Sequence, residues 1–149
     1  MQLRLGEVLV QRGILSAVQV DRVLEEQRRS GRPFGVLCEQ LFGVQPDTIE
    51  DAWAEQYAGL TRKIDPEIES YEERALSLVT RRQAWQFRVL PIRFDGEELM
   101  LATTSSQLRR ALRFASRVIG VPTWLVIAEP ESLGRVLCKR FPLAGLTPR

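Results

Sequence analysis

Apolar positions in the first third of the chain recur at helical spacing, and then the whole block recurs. In "RLGEVLVQRGILSAVQVDRVLEEQ", Arg4 to Gln27, aliphatic residues fall at three- and four-residue steps with a break at Gly13. The spacing predicts a short helix ended by Gly13 in left-handed backbone. A second helix then runs to Arg29 with Val20, Val23, Leu24 and Gln27 along one side. Ser16 and Gln19 have capping-box spacing, and Leu15 with Val20 has that of a hydrophobic staple. After the breaker "SGRP", the stretch "PFGVLCEQLFGVQPDTIEDAWAEQ" repeats the pattern. It predicts a short helix to Phe42, a stop at Gly43 and a restart at Pro46, a residue suited to a first helical turn. Ile49, Ala52, Trp53 and Gln56 share one face of that last helix. A shift of 29 residues lays Leu5 on Phe34, Gly6 on Gly35, Val20 on Ile49, Leu24 on Trp53 and Gln27 on Gln56. Four helices as two tandem hairpins are the economical packing.

Beyond this block the periodicity changes. Residues 59–73 read as an acidic connector without a clear period. "RALSLVTRRQAWQF" reads as one helix, and "RVLPIRF" and "EELMLAT" as two strands joined by Asp95-Gly96, a strong hairpin signal. "SSQLRRALRFASRVIG" is an amphipathic helix with Leu108, Ala111, Leu112, Ala115, Val118 and Ile119 on one face and Gly120 at its end. "PTWLVIAE" makes a third strand, and Pro130 opens a last helix that runs to Phe141. The expected fold is α+β: a four-helix subdomain over 1–58, a connector over 59–73, an α+β subdomain with a three-stranded sheet over 74–141, and a loose tail over 142–149.

Composition narrows the chemistry. The chain has 149 residues, a formal net charge of +2 and no histidine, so the commonest general base and metal ligand is missing. Cys38 and Cys138 match no metal or redox spacing and read as two small buried thiols. No GxxxxGK[ST] loop or nucleophile elbow occurs, so the reading is non-enzymatic, with no cofactor and no metal. No signal peptide or membrane span is legible, which points to the cytoplasm and to no membrane insertion. Lysine appears only at Lys63 and Lys139, so nearly every cation is arginine; codon bias and a taste for phosphates or guanine edges explain that equally. Arg109, Arg113 and Arg117, with Arg110 alongside, recur on one helix face and would track nucleic-acid phosphates. With no aromatic interleaved there, a solvated face is preferred and nucleic acid is ranked low. Asp95, Glu97 and Glu98 are explained by turn chemistry and solvation.

Two packed hairpins would need matching apolar faces and nothing more. Three features go beyond that need: an arginine before Leu-Gly where a helix begins, a glycine at the second helical position, and a glutamine closing each apolar ladder. Arginine, open backbone, aliphatic walls and an amide suit a flat heterocycle that carries a phosphate, since arginine forks onto guanine O6 and N7 or onto phosphate. Two tandem half-sites suit a two-fold symmetric ligand.

The tandem 24-residue motif, its spacer "RRSGR" and the α+β unit behind it resemble the MshEN domain, the N-terminal regulatory module of ATPases that drive type II secretion and type IV pilus assembly. The first motif matches at Arg4, Leu5, Gly6, Leu9, Val10, Gly13, Ile14, Leu15, Val20, Leu24 and Gln27. The resemblance implies a regulatory domain that binds cyclic di-GMP. Arg4 and Gln27 are then polar contacts, Gly6 a close-approach point, and Leu5, Val20 and Leu24 walls over the guanine rings. Leu9 from the first motif and Arg32, Phe34, Gly35, Ile49, Trp53 and Gln56 from the second complete the candidate set.

The second motif departs from the pattern. Pro33 stands where the arginine belongs, with Arg32 beside it; Phe34 and Trp53 replace aliphatics; glycine arrives one place late, at Gly43. "ATTSSQ" lacks the carboxylate that the family commonly carries nearby. A lost arginine contact costs about 1.5–3 kcal/mol, and Trp53 stacking on a base would return about 1–3 kcal/mol. The alternative is a protein-docking module of the same fold with weakened or lost nucleotide binding. Its partner would be a secretion or pilus ATPase or platform protein, with Phe34 and Trp53 rimming an apolar groove.

Overall fold

The computed structural model describes residues 5–60, with backbone alone over 58–60, then residues 62–143 and 145. Arg4, Thr61 and most of the expected tail lie outside the described residues. Four helices come first: α1 (Leu5–Gln11), α2 (Ala17–Ser30), α3 (Phe34–Phe42) and α4 (Pro46–Leu60). Gly13 and Gly43 take left-handed backbone, φ 69° and 68°, where the periodicity stops, so each short helix ends as expected. The Ser16 capping box forms in both directions: the Gln19 N–H donates to Ser16 Oγ at 3.2 Å, and the Ser16 N–H donates to Gln19 Oε1 at 2.9 Å.

The remainder is α5 (Glu73–Leu76), α6 (Arg81–Phe87), β1 (Leu90–Asp95), β2 (Glu98–Thr103), α7 (Leu108–Arg117), β3 (Thr123–Ile127) and α8 (Pro130–Arg140). The sheet order is β1-β2-β3, with β1 antiparallel and β3 parallel to β2, so α7 is the crossover between β2 and β3. Pro91 sits on edge strand β1, beside a register shift between Pro91 and Arg93; an edge tolerates a residue without an N–H. The fold is α+β, as expected.

Several details differ from the sequence reading. The helix expected over 74–87 splits in two, because Thr80 and Gln83 form a second reciprocal capping box and restart the chain as α6. Asp95 pairs with Glu98, so the two-residue loop is Gly96-Glu97 rather than Asp95-Gly96; Gly96 supplies the positive φ of 66°. Helix α7 stops at Arg117, which leaves Val118 half exposed and off the apolar face. Part of the connector covers the β3 edge: the Ile64 N–H donates to Ile127 O, and the Ile127 N–H donates to Arg62 O, both at 2.9 Å. A single paired position shows no alternation, so the periodicity carries no sign of it. Cys38 is fully buried, whereas Cys138 is only half-buried because α8 turns it toward the rim of the core.

Burial pushes the Cys38 thiol from its ordinary 9.0 up to about 12, and pushes the Tyr57 and Tyr71 phenols well above their ordinary 10.0. At alkaline pH the unfolded chain therefore loses protons that the folded chain keeps. A raised folded-state value means stability present below the unfolded value and lost as pH rises. The urea midpoint is expected to stay level up to pH 9.0 and to fall steadily toward pH 12. A level midpoint across that window would contradict the burial of these groups.

Candidate functional site at the junction of the two parts

A cleft of about 410 Å³ opens where the first hairpin meets the α+β unit. Small-molecule sites lie in the range of about 300–1,000 Å³. Leu5 and Gly6 on α1, Val20 and Leu24 on α2, and Phe34 on α3 form one wall. Ala115 on α7 and Val121 with Pro122 before β3 form the other. The helical wall is apolar because Leu5, Val20 and Leu24 are helical-period positions of the first motif, with Phe34 added from the second. Gly6 keeps α1 tight on α2: a Cβ there would stand 2.6 Å from Val20 Cγ1.

The rim is acidic. Glu7 and Asp21 stand on the helical side, and Asp95, Glu97 and Glu98 at the β1–β2 turn. Among the described lining residues Arg28 is the one cation, 3.8 Å from Glu97, and both side chains are mostly in water. Such a pair contributes little; the rim carries the exposed carboxylates of Glu7, Asp21, Asp95 and Glu97. It favours groups that donate hydrogen bonds, such as the guanine N1–H and exocyclic amine, over bare phosphate.

The sequence-derived candidates separate. Leu5, Gly6, Val20, Leu24 and Phe34 meet in the cleft. Arg4 lies outside the described residues. Leu9 is fully buried behind the wall. Gln27 is 1% exposed, absent from the cleft lining, and neither of its amide atoms has a hydrogen-bond partner. An unpaired buried polar atom costs about 1–3 kcal/mol, so this amide is under tension where it sits.

The second motif is mostly turned inward. Ile49 and Trp53 are fully buried, and the Trp53 Nε1–H donates to Leu5 O at 2.9 Å. The indole is thus a strut between the two repeats rather than a groove rim, and its faces are closed to a base. It packs tilted against Phe34, with ring centroids 5.8 Å apart. Gly35 packs on α7, where a Cβ would stand 2.8 Å from Ser116 O. Gln56 lies outside the cleft and accepts from Arg12 Nη2 at 3.4 Å. Arg32 is exposed and does not line the cleft.

Sequence reasoning missed two groups of residues. Asp95 and Glu97 are solvated as expected, but the hairpin also sets them on the rim of the cleft opposite the first motif, which turn chemistry alone does not signal. The arginine row on α7 is neither a plain solvated face nor free for phosphates. Arg113 Nε donates to Glu50 Oε1 at 3.0 Å, and Arg117 Nε to Glu50 Oε2 at 2.9 Å. Arg117 also reaches Asp47 at 3.2 Å, and Arg109 pairs with Asp51. A signal for this was present: acids at 47, 50 and 51 on α4 have the helical spacing of the arginines on α7.

Among the described residues no group of three or more His, Cys, Asp or Glu is placed to hold a metal ion, and no helix is long and apolar enough to cross a membrane. Two helical hairpins clasped to a mixed three-stranded sheet, with a cleft at the junction, define a two-part α+β domain. The chain belongs to the MshEN domain family, whose profile matches residues 58–145. The matched span covers the α+β unit, and the tandem motifs precede it. A solved structure of MshE with cdg is similar at 24% identity, over 94% of this chain and 99% of that one, with a TM-score of 0.48. The N-terminal domain of XpsE is similar at 22% identity over 93% of each chain, with a TM-score of 0.42. No curated protein sequence matches the chain.

Glu50 is 1% exposed while its arginine partners are about half in water, so deleting the carboxylate frees cations that rehydrate. Glu50→Ala is expected to lower stability by about 2 kcal/mol, the worth of charge-assisted bonds to a buried group. Asp47→Ala, at an exposed carboxylate, is expected to cost less than about 0.5 kcal/mol. Urea melts of the two variants give the comparison; equal losses would mean the buried carboxylate holds nothing special.

Proposed function

We propose that this chain is a non-enzymatic regulatory domain of a cytoplasmic secretion or pilus-assembly system, and that it takes cyclic di-GMP in the junction cleft. The observation that carries the reading is the convergence of Leu5, Gly6, Val20 and Leu24, four positions of the first motif, on one open apolar wall. Family membership supports the regulatory role. The aliphatic walls suit the faces of a purine, and the exposed carboxylates of Asp21, Asp95 and Glu97 suit the donor edge of guanine. Arg4, one residue before the cleft wall, is the cation expected to meet a phosphate. A ligand held this way touches both parts of the domain, so binding biases how the helical part sits on the α+β part. That bias is what a motor ATPase or platform protein would read.

A second reading is favoured by the inward turn of the second motif. With Gly35, Ile49 and Trp53 spent on internal packing, the fold serves as a docking module whose nucleotide grip is weak or lost.

Calorimetry with cyclic di-GMP separates the two. The wild type is expected to give a saturable heat, and Arg4→Ala to weaken binding at least about tenfold, the equivalent of one charge-assisted hydrogen bond. No heat from the wild type at high micromolar ligand would leave the docking module.

A further inference from the structure

We infer that this chain reads only one guanine of its ligand, because the surface that would read the second is already filled by its own helix α7. The inference rests on the nucleotide reading above and narrows it.

The two motifs are related by a shift of 29 residues, so each cleft position of the first has a counterpart in the second. Both glycines are close-packed, but on different neighbours: Gly6 lines the cleft and packs on Val20 of its own hairpin, whereas Gly35 packs on Ser116 of α7, where a Cβ would stand 2.8 Å from the carbonyl oxygen and 2.9 Å from Ser116 Cβ. Val20 and Leu24 wall the cleft, whereas Ile49 and Trp53 are fully buried. Asp21 stands exposed on the cleft rim, whereas Glu50 is buried and gripped by Arg113 and Arg117.

Helix α7 therefore stands against the second motif as a ligand would stand against the first. Its guanidinium N–H groups meet Glu50 as the donor edge of a guanine would meet Asp21. A second base would enter only by expelling α7, which would strip Glu50 of its partners and uncover Ser116, a fully buried residue. Because α7 is also the crossover between β2 and β3, that movement would break into the sheet as well. Phe34 is the member of the second motif that still reaches the open cleft. The ligand class is accordingly any phosphodiester that presents one guanine; cyclic di-GMP is accepted for one of its halves.

The test compares the full-length chain's affinity for cyclic di-GMP with that for guanosine 5′-methylphosphate, which keeps one base and one singly charged phosphodiester. Two linked half-sites would favour the dinucleotide by about 10²- to 10⁴-fold, whereas a single half-site predicts less than about tenfold. Leu24→Ala, in the open cleft, is expected to weaken both ligands in the same proportion. Arg32→Ala, at an exposed position beside the covered second motif, is expected to change neither. A dinucleotide preference above about 10²-fold, or a selective loss of cyclic di-GMP affinity in Arg32→Ala, would overturn the single-guanine inference while leaving the nucleotide reading in place. Failure of both ligands to bind the wild type would overturn the nucleotide reading and this inference together.

Discussion

Glu50 is the constraint on which the arrangement of the two parts depends. It lies on α4, almost wholly out of water, and receives Arg113, Ser116 and Arg117 from α7. A buried carboxylate left unpaired would be costly, so α4 is held where α7 can reach it. Since α7 is fixed between β2 and β3, the pairing carries the register of the sheet across to the helical part. Asp47 and Asp51 add exposed pairs on either side, which align the seam more than they strengthen it.

That seam gives the repeated motif two different fates. Both copies carry a glycine near the start of one helix, aliphatic or aromatic walls, and an acid on the following helix. With α7 seated on the second copy, its glycine and acid become packing and pairing positions. In the first copy the glycine packs within its own hairpin, on Val20, and the acid, Asp21, stays exposed on the cleft rim. Trp53 reinforces the division by bonding to Leu5 O, which pins the opened copy to the closed one. One duplicated stretch thus supplies an anchor and a cleft, and the anchor sets where the cleft lies.

The cleft itself joins parts that are distant in sequence. Leu5 and Val20 face the turn at Gly96 only because the α4–α7 seam brings the hairpin tip over the first motif. That tip sets Asp95 and Glu97 on the rim, and the apolar helices give the wall its shape. Gln27, buried without partners just behind the wall, is the one polar group of the first motif that this conformation leaves unsatisfied among the described residues of that motif.

Much of this was local and could be read along the chain. The helices of the tandem block, the Gly13 and Gly43 stops, the Ser16 box, the β1–β2 hairpin and the α+β class all follow from periodicity and capping, which act over a few residues. Even the split at Thr80 was written in the same Ser/Thr-x-x-Gln spacing as the Ser16 box. What the sequence could not decide was the choice between equivalent faces. Leu24 and Trp53 occupy the same place in their repeats, as do Asp21 and Glu50, and nothing local marks one as open and the other as closed. Contacts distant in sequence break that symmetry: α7 closes over Glu50 across more than sixty residues of chain, and Leu5 and Phe34 close over Trp53, because burial and pairing depend on which surface arrives rather than on the residue that waits for it.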